Sequence, residues 1–262
     1  MKCKHCYADS GPEGDHGTMT ADDWERVIDD AHALSVDTVQ FIGGEPTFHP
    51  ELRRLIRYAL GKGLKVDVYT NLVHITLELW ELFSLPGVSL GTSWYSADSD
   101  RHADITGSKG SHGRTRANII EALRRGIPIR AGIVEVVDSQ DTATARDELL
   151  ALGVTDIHTD RARGVGRAAR GIPDISELCG QCGRGRAAII LRGDLSPCVI
   201  GRFLVAGNVK DKPLGEILGG ARWGQIVDSI PAQGLVSQGA CTPSDSNDCD
   251  PSRKARGLAA AR

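Results

Sequence analysis

The sequence predicts an α/β fold built on parallel strands, and two observations carry that expectation. Between about residues 20 and 160, short β-rich runs alternate with amphipathic segments of helical period. The 262-residue chain is also 40% hydrophobic, enough for one large domain with an appendix.

The elements follow in order. TADDWERVIDDAHAL (20–34) opens on Thr20, a good N-cap, with acids in the first turn, and reads as a helix. DTVQFIGGEP (37–46) is a short strand that runs into glycines. HPELRRLIRYALGKG (49–63) has Pro50 early, a periodic apolar face, and Gly61 and Gly63 at its end, so it reads as a helix. LKVDVYTN (64–71) is a strand, TLELWELFSLPG (76–87) a helix and VSLGTSWYS (88–96) a strand. RTRANIIEALRRG (114–126) is a helix, IPIRAGIVEVV (127–137) a strand, DTATARDELLALG (141–153) a helix and VTDIHTD (154–160) the last strand. Five strands with helices between them imply right-handed β-α-β units in a parallel sheet. The alternation does not separate an open doubly wound sheet from a barrel. Either architecture puts the chemistry at the carboxyl ends of the strands. The segments there are GGEP, YTN, SWYS and the arginine-rich stretch after IHTD.

After residue 160 the pattern breaks. RARGVGRAARGIPD (161–174) is a basic, glycine-rich connector, and a boundary is expected near 165–175. Beyond 176 come five cysteines, two short strand candidates (AAIILRG and FLVAGNV) and one helix over 213–229. This part is too small for a generous core, so a metal staple is expected. Residues 253–262 form a basic tail expected to fray.

A net charge of −3 argues against general binding of nucleic acid or anionic membranes. No run of 18 apolar residues exists, so no membrane span is expected. The polar, glycine-rich opening is unlike a secretory signal, so a cytoplasmic location is expected. Clustered cysteines in that compartment favour metal or redox work over disulfides.

Cys3 and Cys6 are spaced Cys-x2-Cys. Alone, that spacing suits a zinc knuckle as well as an iron–sulfur site. GGEP alone is a natural tight turn. Together, a cysteine loop followed some 37 residues later by strand-GGEP, in a chain of β-α units, is far more specific. On these residues the sequence resembles the radical S-adenosylmethionine (SAM) enzymes, which carry Cys-x3-Cys-x2-Cys after the first barrel strand.

The resemblance implies a partial (β/α)6 TIM-like barrel, with a 4Fe–4S cluster and SAM as cofactors. Cys3 and Cys6 match the second and third cysteines, with His5 in the slot usually taken by an aromatic. The first cysteine and first strand would then fall before Met1, so a start codon assigned too late, or a true loss, is expected. A cluster held by three thiolates leaves one iron open to chelate SAM. Gly43, Gly44, Glu45 and Pro46 are expected at SAM, with Glu45 accepting from its ammonium group. Asn71 and Ser93 are candidate contacts to its ribose or carboxylate, and equally candidate strand-end caps. His5 would pack on the adenine.

Cys182, Gly193 and Cys198 follow Cys-x10-Gly-x4-Cys, which resembles the opening of SPASM or twitch auxiliary-cluster domains. With Cys179, Cys241 and Cys249, the resemblance implies at least one auxiliary 4Fe–4S cluster; zinc is the competing metal. The implied organisation is a radical SAM core over 1–165 and an auxiliary domain over 166–252. The implied function is radical hydrogen abstraction from a ribosomally made peptide, leading to a crosslink, thioether or epimerisation, with an electron donor such as flavodoxin or ferredoxin. Small-molecule or cofactor biosynthesis is the second reading, and a non-catalytic zinc or iron–sulfur protein the third. Arg161, Arg163, Arg167 and Arg170 are candidates to hold the SAM carboxylate or an acidic peptide, or form a solvated connector. His102, His112 and His158 read as structural or surface histidines. There is no Ser-His-Asp arrangement, phosphate loop or HExxH motif.

Overall fold

The computed structural model describes residues 1–231. Five parallel strands form one sheet in chain order: β1 (Thr38–Phe41), β2 (Lys65–Tyr69), β3 (Val88–Trp94), β4 (Ile129–Glu135) and β5 (Asp156–Arg161). This is the partial barrel expected. Register follows from strand periodicity. Val68 lies beside Leu90, which lies beside Ile129, and Ala131 beside Ile157. Val66, Val68, Leu90, Ala131, Ile133 and Ile157 join the buried core with residues of the helices. The alternate set, including Gln40, Tyr69, Ser93, Gly132 and His158, faces a cavity instead.

The helices are α1 (Ala21–Ala33), α2 (Leu52–Gly61), α3 (Leu77–Phe83), α4 (Ser99–Thr106), α5 (Ser111–Arg124) and α6 (Thr142–Leu152). Thr20 caps α1 as a reciprocal box: its hydroxyl accepts from the Asp23 amide at 3.1 Å, and its own amide donates to the Asp23 carboxylate at 2.9 Å. Thr20→Ala is therefore expected to cost about 1 kcal/mol, read as a lower urea midpoint at unchanged m-value. Helix α4 falls outside the sequence reading. Its sequence, SDRHADIT, is short and polar, and it buries only His102, Ile105 and Thr106. It forms because Asp98 accepts from the amides of Asp100 and Arg101, and it ends at left-handed Gly107.

The C-terminal region carries a small antiparallel sheet of β6 (Ala188–Ile189), β7 (Asp194–Ser196) and β8 (Gly207–Asn208). The expected strands shorten to two residues each, and β7 is an addition. The single helix expected over 213–229 is two, α7 (Leu214–Leu218) and α8 (Ala221–Ser229). The break falls at Gly219–Gly220, where Gly220 is extended and caps α8. Two small cores hold this region. One gathers Leu195, Leu214, Ile217 and Trp223, the other Leu178, Cys182, Cys198, Ile226 and Ile230. No helix among the described residues is long and apolar enough to cross a membrane. Cys241, Cys249 and the basic tail lie outside the described residues.

Candidate functional site

A cavity of about 1000 Å³ is bordered by the strand-end segments and by both described cysteine groups. Cys3, His5, Cys6, residues 43–46, Asn71, Ser93 and Cys198 all line it. The structure thus brings together most of the residues the sequence singled out.

The cysteine loop rests on several neighbours. The amides of Lys2 and Lys4 donate to the carbonyls of Thr106 and Ile105, tying the loop to the end of α4. A side chain at Gly44 would press to 3.0 Å on the Ser10 hydroxyl, so this glycine lets the GGEP turn close against the loop. Cys3 and Cys6 are half-buried, and the Ser10 amide donates to the Cys6 sulfur at 3.4 Å. Burial and the neighbouring Cys6 push the Cys3 thiol up from its ordinary pKa. His5 packs edge-on against Tyr95 at 5.0 Å. Burial, with the nearby Arg167 charge, lowers its pKa to about 4, and its Nδ1 is buried without a partner. The ring is therefore neutral at pH 7.

Glu45 is more occupied than the sequence suggests. Its Oε1 accepts from the Thr47 amide (3.2 Å), the Thr47 hydroxyl (2.8 Å) and the Thr70 hydroxyl (2.6 Å), while Oε2 accepts from the Asn71 amide at 2.8 Å. The carboxylate ties the turn after β1 to the end of β2, leaving acceptor capacity on Oε2 alone. Burial raises its pKa against these four hydrogen bonds. Asn71 caps a turn, its Oδ1 accepting from the Val73 amide at 2.8 Å. The Ser93 hydroxyl lies 3.2 Å from the Tyr69 hydroxyl. The Tyr69 ring fills space that side chains at Gly91 or Gly132 would enter, at 2.5 and 2.9 Å. Sequence reasoning missed Tyr69; two strand glycines on adjacent strands were the available signal.

The arginine run is largely spent on the protein itself. Arg161 pairs with Glu177 at 3.1 Å and Arg163 with Asp160 at 2.6 Å. Arg167 donates from Nε to the Cys3 carbonyl (2.8 Å), from Nη1 to Asp9 (3.0 Å) and from Nη2 to the Ser10 carbonyl, and its amide donates to the Cys6 carbonyl at 3.0 Å. Arg161 and Arg170 are the two exposed members, and Arg163 and Arg167 are partly buried. Gly166 sits at φ 62°, and a side chain there would lie 2.3 Å from the Cys6 carbonyl oxygen. Gly166→Ala is expected to loosen the cysteine loop, seen as faster amide exchange over residues 3–10 with the β-strand amides unchanged.

In the C-terminal region Cys182 and Cys198 are buried with their sulfurs 2.9 Å apart, and Cys179 hydrogen-bonds Cys182. The Gly201 amide donates to the Cys198 sulfur at 3.1 Å. Burial and these mutual contacts hold the Cys182 thiol well above its ordinary pKa. Three thiols at one point suit a soft metal or an iron–sulfur cluster. The 2.9 Å contact is shorter than the ~3.8 Å edge of a zinc–thiolate tetrahedron and shorter still than the separation of thiolates bound to different irons of a cluster, so the thiols would have to move apart to hold either. As they stand, no group of three or more His, Cys, Asp or Glu among the described residues is placed to hold a metal ion. The thiol chemistry fits such a group; the spacing does not.

Residues 1–142 match the Radical SAM superfamily. The chain belongs to that superfamily. The family uses a 4Fe–4S cluster and SAM. The subtilosin biosynthesis protein AlbA of Bacillus subtilis is 31% identical over 135 residues, which are 51% of this chain and 30% of AlbA. An AdoMet-dependent heme synthase of Methanosarcina barkeri is 31% identical over 126 residues, 48% of this chain and 36% of that protein. The chain spans about a third of the length of these curated relatives. Among solved structures, Streptococcus suis SuiB bound to its precursor peptide SuiA superposes with a TM-score of 0.67 at 18% identity, covering 84% of this chain and 63% of SuiB. At that identity the likeness is one of fold.

Proposed function

We propose that this radical SAM chain forms the core of an enzyme that abstracts hydrogen from a ribosomally made peptide. The observation that carries the reading is the single cavity bordered by Cys3, Cys6, the GGEP turn and Cys198. Cys3 and Cys6 would hold the SAM cluster with a third ligand, and Cys179, Cys182 and Cys198 an auxiliary cluster within residues 166–252. When bound, the cluster supplies the electron that splits SAM into methionine and a 5′-deoxyadenosyl radical. The protein's share is orientation and shielding. Residues 43–46, Asn71 and Ser93 shape the SAM side of the cavity, and Tyr69 with Arg130 forms part of its lining. An exchangeable electron donor of flavodoxin or ferredoxin type would dock from outside, and clustered cysteines of this kind favour a cytoplasmic location.

Peptide chemistry is favoured by AlbA and by the peptide-bound SuiB fold. The heme synthase relative supports small-molecule chemistry as the second reading. Anaerobic reconstitution of the full-length polypeptide with iron and sulfide, then SAM and dithionite, should release 5′-deoxyadenosine and methionine in equal amounts. A protein loaded with a 4Fe–4S cluster that releases neither overturns the reading. Mass spectrometry of candidate peptides encoded beside the gene separates the two substrate classes: a peptide product with altered hydrogen count supports the first, and turnover only with porphyrins or other small molecules the second.

A further inference from the structure

Arg167 holds the cysteine loop through all three guanidinium nitrogens and its backbone amide. Nε, Nη1 and Nη2 reach the Cys3 carbonyl, the Asp9 carboxylate and the Ser10 carbonyl, and the backbone amide reaches the Cys6 carbonyl. A loop that needed only to be pinned would be served by its backbone bonds to Thr106, Ile105 and Arg167. The guanidinium brings a fixed positive charge as well. Its side chain is 20% exposed, whereas its counter-ion Asp9 is 69% exposed. Solvent therefore screens the negative partner more than the positive one. A second guanidinium lies on the same loop: Arg202 donates to the Tyr7 carbonyl at 3.4 Å and stands 5.8 Å over the Tyr7 ring. Arg167 comes from the connector and Arg202 from the segment just after Cys198, so both charges reach the loop from the C-terminal half.

We propose that Arg167 is a positioning residue whose guanidinium both fixes the Cys3–Ser10 loop and raises the reduction potential of the cluster that Cys3 and Cys6 would hold. This rests on the function proposed above. Reduction adds one negative charge to a cluster, and a fixed cation beside its ligands stabilises the reduced form. The consequence is a front cluster that accepts its electron more readily when the connector is docked, which couples the folding of the C-terminal half to the competence of the N-terminal site.

The test is a redox titration of the reconstituted full-length protein, read by electron paramagnetic resonance on the signal whose shape changes when SAM is added. Arg167→Lys keeps the charge and loses the fork; Arg167→Gln loses both. The expected result is a shift to more negative midpoint potential in the Gln variant and a much smaller one in the Lys variant, at similar iron content. Equal shifts in both variants, or none in either, overturn the electrostatic role. Loss of iron from both variants would leave Arg167 only a role in holding the loop, and overturns the electrostatic proposal as well. A wild-type protein with no SAM-responsive cluster overturns the functional reading instead.

Discussion

Asp67→Ala is expected to cost about 3–5 kcal/mol of folding stability, lowering Tm by roughly 10 °C. Asp67 and Arg130 form a buried ion pair across the inner face of the sheet, exposed only 3% and 5%. The aspartate is also fully engaged. Gln40 donates to Oδ2 at 2.5 Å and Ser89 to Oδ1 at 3.0 Å. Arg130 in turn stacks 5.2 Å from the centre of the Tyr69 ring. Truncating Asp67 removes a charged partner from the buried Arg130 guanidinium and takes an acceptor from Gln40 and Ser89. Asp67→Asn separates the two contributions. It keeps an acceptor for Gln40 or Ser89 and removes only the charge, so its loss should approach that of alanine if the lost charge dominates. The paired change Asp67→Leu with Arg130→Met should recover most of the stability, because a pair replaced by packed apolar groups leaves nothing charged behind. Urea unfolding of the three variants decides it. A loss below about 1 kcal/mol for Asp67→Ala would mean that water or a rotamer change relieves Arg130.

The pair also shows what the sequence could and could not disclose. Strands and helices were legible because each buries one face: Val66, Val68, Leu90 and Ile133 alternate with polar residues, and Leu52, Leu55, Ile56 and Ala59 recur at helical spacing. The cysteine and GGEP motifs were legible because their spacing is local. What lay hidden was pairing across long separations. Arg167 and Asp9 are 158 positions apart, and the charge run after β5 looked like a ligand-binding cluster when three of its four members are held by the protein. Glu45 looked open because Thr47, Thr70 and Asn71 converge on it only after β1 and β2 align. Helix α4 was invisible since its eight residues carry too few apolar positions to show a period. The histidines read as unremarkable, yet His102 proves to be the centre of an aromatic cluster.

That cluster carries the second large effect. His102 is 1% exposed and meets Trp94 at 4.9 Å, Tyr95 at 5.3 Å and His112 at 5.4 Å. Its Nδ1 is buried without a partner. Burial, reinforced by the nearby His112, lowers its pKa from 6.5 to about 4. The folded protein thus resists a proton that the unfolded chain accepts near pH 6.5. Between those two values the unfolded state binds more protons, so stability falls as the pH falls. The full depression amounts to about 3 kcal/mol, of which roughly 2 kcal/mol is lost by pH 5. At pH 7.5 the ring is neutral in both states and contributes nothing of this kind. His102→Phe keeps an aromatic ring among Trp94, Tyr95 and His112 while removing the titrating nitrogen. It is expected to lose less stability than the wild type on going from pH 7.5 to pH 5, whatever its stability at pH 7.5. Urea midpoints of both proteins at the two pH values give the answer. Parallel losses would place the acid sensitivity elsewhere, with His5, whose pKa is also lowered to about 4, the first residue to replace. A smaller loss in the His102→Phe protein assigns it to the buried imidazole in α4, which packs on Trp94 at the end of the strand that carries Ser93 into the cavity.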